Sequence, residues 1–176
     1  MELDPVTPAT SYCLGQYGYS LAGRYEEAIA QLEKTLILDP NHFYAQIFLA
    51  YNYALMGKYS EAIDQADKTI ASRQTTEDPW LLAWLGWVYA VSGRQEIAQK
   101  FVKNLLDLRE RRYVDANLVA VVYAGLGEKD RTFEWLTKAY EEHASIIAWL
   151  KVESALTNMR SDPRYKDLLK KMGWEK

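Results

Sequence analysis

The sequence predicts an all-α fold, a solenoid of stacked helix pairs, and three observations carry that prediction. A tyrosine followed four residues later by a glycine occurs four times, at Tyr19 and Gly23, Tyr53 and Gly57, Tyr89 and Gly93, and Tyr123 and Gly127, so the glycines recur at steps of 34, 36 and 34 residues. A period of that length marks stacked supersecondary units. The stretches after the glycines carry apolar residues at helical spacing: Ala28, Ile29, Leu32 and Leu36 in one, and Ala62, Ile63, Ala66 and Ile70 in the next. Finally, 49% hydrophobic and 26% charged residues in a chain of 176 describe one soluble domain able to bury a continuous core.

Taken in order, Leu3-Asp4-Pro5 repeats Leu38-Asp39-Pro40 one period early. Residues 1–8 therefore read as the tail of a truncated preceding unit, and the chain as part of a longer protein. Thr7-Pro8 supplies an N-cap and a proline at the first helical position, starting a helix to about Leu21. Gly23 turns the chain into a second helix from Tyr25, which ends at Leu38-Asp39-Pro40 because proline removes a donor and restricts the residue before it. Asn41 is expected to cap the next helix, His42 to Met56, and its partner runs from Tyr59 to about Ser72. The polar linker Arg73 to Glu77 carries the extra length of the 36-residue step. Asp78-Pro79 repeats the cap-and-proline start, giving helices from Trp80 to Ser92 and from Arg94 to about Arg109. A charged turn, Arg109 to Arg112, leads to a fourth pair, Asp115 to Leu126 and Asp130 to Glu142. Ile146, Ile147, Trp149 and Leu150 then supply apolar cover outside the repeat frame. Asp162-Pro163 caps a last helix with Tyr165, Leu168, Leu169 and Met172 on one face and Gly173 after it.

With units starting at Ala9, Phe43, Pro79 and Tyr113, tyrosine fills the eleventh position throughout. Gly15, Leu49, Leu85 and Val119 take the seventh position, and Gln16, Ala50, Gly86 and Ala120 the eighth. Ala28, Ala62, Ala98 and Thr132 fill the twentieth, where two helices crossing closely need a small side chain. This frame resembles the tetratricopeptide repeat over Ala9 to Ala144. Gly15, Gln16 and Thr132 depart from it, and only Pro40 fills the closing-proline position. The resemblance implies a right-handed superhelical α-solenoid of about four units (9–42, 43–78, 79–112 and 113–144), followed by C-terminal capping helices over 145–176. The tail Met159 to Leu169 is similar to those closing such arrays in bacterial multidomain regulators and signalling kinases.

Function would sit on the concave face lined by the first helix of each unit. The residues assigned to it are Tyr17, Tyr44, Ile47, Tyr51, Trp80, Trp84, Trp87, Asn117 and Val121, with Cys13, Leu55 and Ala83 on the same face. That face is aromatic and almost uncharged. A clamp for a chaperone's C-terminal carboxylate, which needs lysine and arginine at such positions, is thereby disfavoured. A docked apolar or aromatic peptide or helix fits instead, since tyrosine and tryptophan give large contact area at low entropic cost. The tryptophans admit a second reading, as core or as residues covered by the closing segment around Trp149, and Trp87→Ala separates the two by leaving or destroying the fold.

The expected function is a non-catalytic protein-interaction scaffold, the C-terminal module of a larger bacterial regulator; the alternative is an array that self-associates through its N-terminal edge as a homodimer. No catalytic residue, metal site or cofactor is expected. No zinc-protease, phosphate-loop, Cys-x-x-Cys or serine-elbow motif occurs, and His42 and His143 are isolated turn residues. The single Cys13 is expected to be a small buried hydrophobe. A net charge of −3 disfavours nucleic acid. Trp80 to Val91 would span only about 20 Å, too short for a membrane, and reads as a buried helix. The N-terminus lacks a basic start and an apolar core, so no secretory signal is expected and a cytoplasmic location is the default.

Overall fold

In each unit the chain leaves one helix and enters the next through the same hydrogen-bonded corner, and this explains the tyrosine-glycine spacing. The N–H of the residue after glycine reaches back to the tyrosine carbonyl five residues earlier: Arg24 to Tyr19 (3.0 Å), Lys58 to Tyr53 (2.9 Å), Arg94 to Tyr89 (2.8 Å) and Glu128 to Tyr123 (3.0 Å). The glycine N–H meanwhile donates to the carbonyl three residues before it, as Gly57 does to Ala54 at 3.0 Å. These are the two bonds of a Schellman motif, which satisfies carbonyls that the helix end leaves orphaned. The motif needs a left-handed residue, and Gly57 sits at φ +72°.

The computed structural model describes residues 7–72 and 77–175, excluding the side chains of Ser145 and Ile146. The tail over residues 1–6 and the linker Arg73 to Thr76 lie outside the described residues. Among the described residues every regular element is helical: α1 (Pro8–Cys13), α2 (Tyr25–Leu38), α3 (Phe43–Leu55), α4 (Tyr59–Ala71), α5 (Pro79–Val91), α6 (Gln95–Arg111), α7 (Ala116–Leu126), α8 (Lys129–Glu141) and α9 (Pro163–Lys171). A π-helical stretch (Leu14–Ser20) continues α1, and two 3₁₀ turns (Ser145–Trp149 and Ser154–Met159) precede α9. The fold is all-α, built of successive antiparallel pairs as a helical solenoid requires. The chain forms two compact units, one up to Thr76 and one from Glu77 onward.

In the first unit α1 and its continuation pack on α2, α2 on α3, and α3 on α4. Thr7 caps α1 by accepting from the N–H of Thr10 at 3.2 Å. The second cap differs from expectation: His42 Nδ1, not Asn41, accepts the N–H of Ala45 at 3.2 Å. Its ring is thereby fixed as a helix cap. The π-helical stretch is the main departure from the regular frame. A wider turn takes in one extra residue, and Gly15 faces α2. A Cβ on Gly15 would lie 3.1 Å from Leu32 Cγ and 3.3 Å from the Ala28 carbonyl. Cys13, expected to be buried, is exposed.

In the second unit α5 packs on α6 and α7, and α7 on α8 and the second 3₁₀ turn. Gly86 lets α5 approach closely, since a Cβ there would stand 3.0 Å from Phe101 Cβ and 3.1 Å from Val122 Cγ2. Arg109 ties the ends of two second helices together: it donates to the Val114 carbonyl and, at 2.6 Å, to Glu142 Oε1, and its guanidinium lies 5.2 Å from the Trp135 ring centre. Leu150, Leu156, Met159, Tyr165, Leu168 and Leu169 pack on Phe133, Leu136 and Ala139 and complete the core. Asp162 caps α9 and pairs with Arg164, whose hydrogen bond holds the Asp162 carboxyl down at about 2.

Candidate functional site

The nine residues assigned to the groove separate sharply by exposure. In the first unit Tyr17 and Tyr44 are open, at 48% and 41%. Ile47 and Tyr51, on the same expected face, are buried. In the second unit Trp80 is half-buried, whereas Trp84, Trp87, Asn117 and Val121 are all buried. The expectation that these six buried residues line an accessible groove is corrected by their packing. α3 buries eight of its thirteen residues, α5 buries Leu81 through Ala90 without a break, and α7 buries Ala116 through Ala124. A helix apolar on all sides is an interior helix, so the first helices of these pairs do not divide into a packed face and a free one.

Trp87 shows how the second unit is closed. Its ring lies on Gly125, where a Cβ would come within 2.9 Å of Trp87 Cδ1, and its indole N–H donates to the Ala155 carbonyl at 3.3 Å. The cover is therefore the second 3₁₀ turn and not the stretch around Trp149, which is itself 45% exposed.

The open surface lies in the first unit and centres on a residue that the repeat frame had turned inward. Tyr12 is almost buried, and around it stand Tyr17 at 6.0 Å between ring centres and edge-on, Tyr44 at 6.1 Å, Phe48 at 6.2 Å and the capping His42 at 5.1 Å. Burial, reinforced by a hydrogen bond with Tyr17, pushes the Tyr12 phenol well above its ordinary range. It stays protonated throughout the physiological range. Cys13 and Leu14, the next two residues along the chain, are also exposed. The result is a neutral surface of phenol edges and aliphatic carbon, suited to apolar and aromatic side chains and to single hydrogen bonds through phenol groups. Sequence reasoning missed Tyr12 and Leu14 because an inserted residue in a helix leaves no trace in a repeat counted from the glycine.

Residues 20–83, which run from the first glycine corner into α5, match the family model of the tetratricopeptide repeat. Over those residues the chain is similar to the tetratricopeptide repeat. No curated protein matches it. Such repeats mediate protein–protein interaction, and the family is typically non-catalytic. The twentieth positions behave as the repeat demands: Ala28, Ala62, Ala98 and Thr132 are fully buried, and Thr132 satisfies its hydroxyl by donating to the Glu128 carbonyl at 2.9 Å. Of the repeat tyrosines, Tyr89 and Tyr123 are buried. Tyr53 is half-buried and donates to Glu33 at 2.9 Å, and burial together with that carboxylate raises its phenol to about 12.

Several arginines that might have formed a basic patch are paired: Arg111 with Glu77, Arg109 with Glu142, and Arg164 with Asp130 and Asp162. Among the described residues no group of three or more His, Cys, Asp or Glu side chains converges in a way that could hold a metal ion. No helix among them is long and apolar enough to cross a membrane.

Proposed function

We propose that this repeat protein is a non-catalytic interaction module that docks an apolar or aromatic segment of a protein partner on the tyrosine face of its first unit. The observation that carries this reading is the open pair Tyr17 and Tyr44, standing on the buried Tyr12 in an uncharged setting. Rigid aromatic side chains backed by packed neighbours are the usual anchors of protein interfaces. Trp80, half-buried at the start of α5, is the one residue of the predicted second-unit set still partly accessible. In its biological setting the module fits the C-terminal part of a larger bacterial regulator acting in the cytoplasm, with no role for nucleic acid or a cofactor. The net charge of −3 and the paired arginines support that exclusion.

The test is selection from a random peptide display library with the wild-type chain and with the double variant Tyr17→Ser/Tyr44→Ser. The expected result is recovery of peptides rich in apolar and aromatic residues that lose at least tenfold in affinity for the double variant. Enrichment of acidic or basic peptides, or equal binding to both proteins, overturns the reading. The same exposed patch, with Leu14 at its edge, also suits pairing between two copies at the N-terminal edge. Sedimentation that shifts from monomer to dimer with concentration in the wild type, and not in the double variant, would favour that second reading.

A further inference from the structure

The second 3₁₀ turn of the second unit packs on α7. Between the exposed residues Val152 and Ser161 the chain presents four features to α5 and α7 that a bound segment would present. The Ala155 carbonyl accepts the Trp87 indole N–H at 3.3 Å, and the Asn158 carboxamide donates to the Ala124 carbonyl in the last turn of α7 at 2.8 Å. Leu156 and Met159 are buried as apolar anchors. The stretch itself is a 3₁₀ turn, whose hydrogen bonds are poorer than those of an α-helix. It is braced locally by Glu153, whose carboxylate accepts the Ala155 N–H at 3.1 Å, and by Arg160, which donates to the Glu153 carbonyl at 3.2 Å. Much of its hold thus comes from docked side chains and two hydrogen bonds to the helices beneath.

We infer that residues 153–160 are an intramolecular ligand, a strap that closes the Trp87 site and opens as a local unit. The site it vacates takes a peptide of the same chemistry, with apolar anchors, a main-chain carbonyl for Trp87 and a carboxamide for the end of α7. This rests on the interaction reading above only for what replaces the strap. The opening itself stands on the local geometry, and the site is separate from the tyrosine face. Segments held by few regular hydrogen bonds open with a smaller free energy than the elements they cover.

The experiment is native-state hydrogen exchange on the full chain. Amides of residues 153–160 should exchange through an opening insensitive to low denaturant, while those of α5 and α7 follow a common denaturant-dependent opening. Asn158→Ala, at an exposed position, should speed exchange of the strap about fivefold to tenfold, the effect of one lost hydrogen bond, and leave α5 and α7 unchanged. If the variant fails to fold, Trp87→Phe removes the other bond and gives the same comparison. Strap amides that follow the same denaturant dependence as α7 overturn the proposal. A labelled synthetic peptide covering Val152 to Ser161 supplies the second arm. It should bind Asn158→Ala at least fivefold more tightly than wild type, because it carries the carboxamide the variant strap lacks. Equal binding to both, or binding to neither, overturns the assignment of the strap as a ligand. Neither arm involves Tyr17 or Tyr44, so failure here is distinct from failure of the first-unit reading.

Discussion

His143 occupies a place that the rest of the chain gives to glycine. The end of α8 forms the same corner as the four repeat turns, with the Ala144 N–H reaching the Ala139 carbonyl at 2.9 Å and the His143 N–H reaching Tyr140 at 3.1 Å. The residue in the left-handed position is His143 at φ +53°. A side chain with a Cβ pays about 1 kcal/mol or more to sit there. His143→Gly should therefore stabilise the protein by about 0.5–1 kcal/mol, read as a higher urea midpoint with an unchanged slope. No change in midpoint would mean that the histidine side chain recovers the cost through contacts of its own. The glycine corners of the repeats were legible because a Schellman motif demands its glycine at a fixed offset from the carbonyl it serves. The corner at His143 was hidden because its histidine gives no such signal.

At the level of the helices, the sequence was least informative where a helix is either irregular or wholly apolar. The π-helical stretch was not readable, since an inserted residue preserves the composition on both sides of it. Gln16 shows the strain of that local frame: it is buried, and its Oε1 has no hydrogen-bond partner. The burial of α5 was readable in principle. Pro79 to Val91 contains no charged residue, and a helix without a polar stripe has no face to offer to water. That signal reads Trp80 to Val91 as a buried helix, and the burial of Leu81 through Ala90 agrees with it. The practical consequence concerns Trp87→Ala, which should cost about 3–5 kcal/mol, as truncations of large buried aromatics do. Tyr17→Ala, at an exposed ring, should be much milder. Chemical denaturation of the two variants separates these outcomes; equal, small losses would show that the Trp87 ring contributes no packing. The C-terminal turns could not be placed from sequence because short 3₁₀ segments leave no period to count.

Across the whole molecule, the fold class and the register of the helix pairs were legible, whereas the location of the open surface was not, because openness depends on what covers a helix and not on the helix alone. The two compact units differ in a way that makes them separately observable. All six tryptophans, at positions 80, 84, 87, 135, 149 and 174, lie in the second unit. Tryptophan emission thus reports that unit, while far-ultraviolet circular dichroism reports helices in both. In repeat arrays stability is largely a sum over neighbours, so units of different composition need not unfold together. The two probes should give non-coincident urea transitions. Superimposable curves would show that the chain unfolds as one cooperative body.

The repeated corner also sets where this chain can tolerate a change of length. At each glycine turn two backbone donors are committed to carbonyls at fixed distances along the chain, and one inserted residue would break both bonds and shift the following helix by about 100° around its axis. The connectors that lead out of α2 and α6 have no glycine corner and differ in composition, Asp39-Pro40-Asn41 in one and Arg112-Tyr113-Val114 in the other, and each is held by its own bonds, such as that from Arg109 to the Val114 carbonyl. A tag, a fluorescent domain or an extra loop belongs in those connectors.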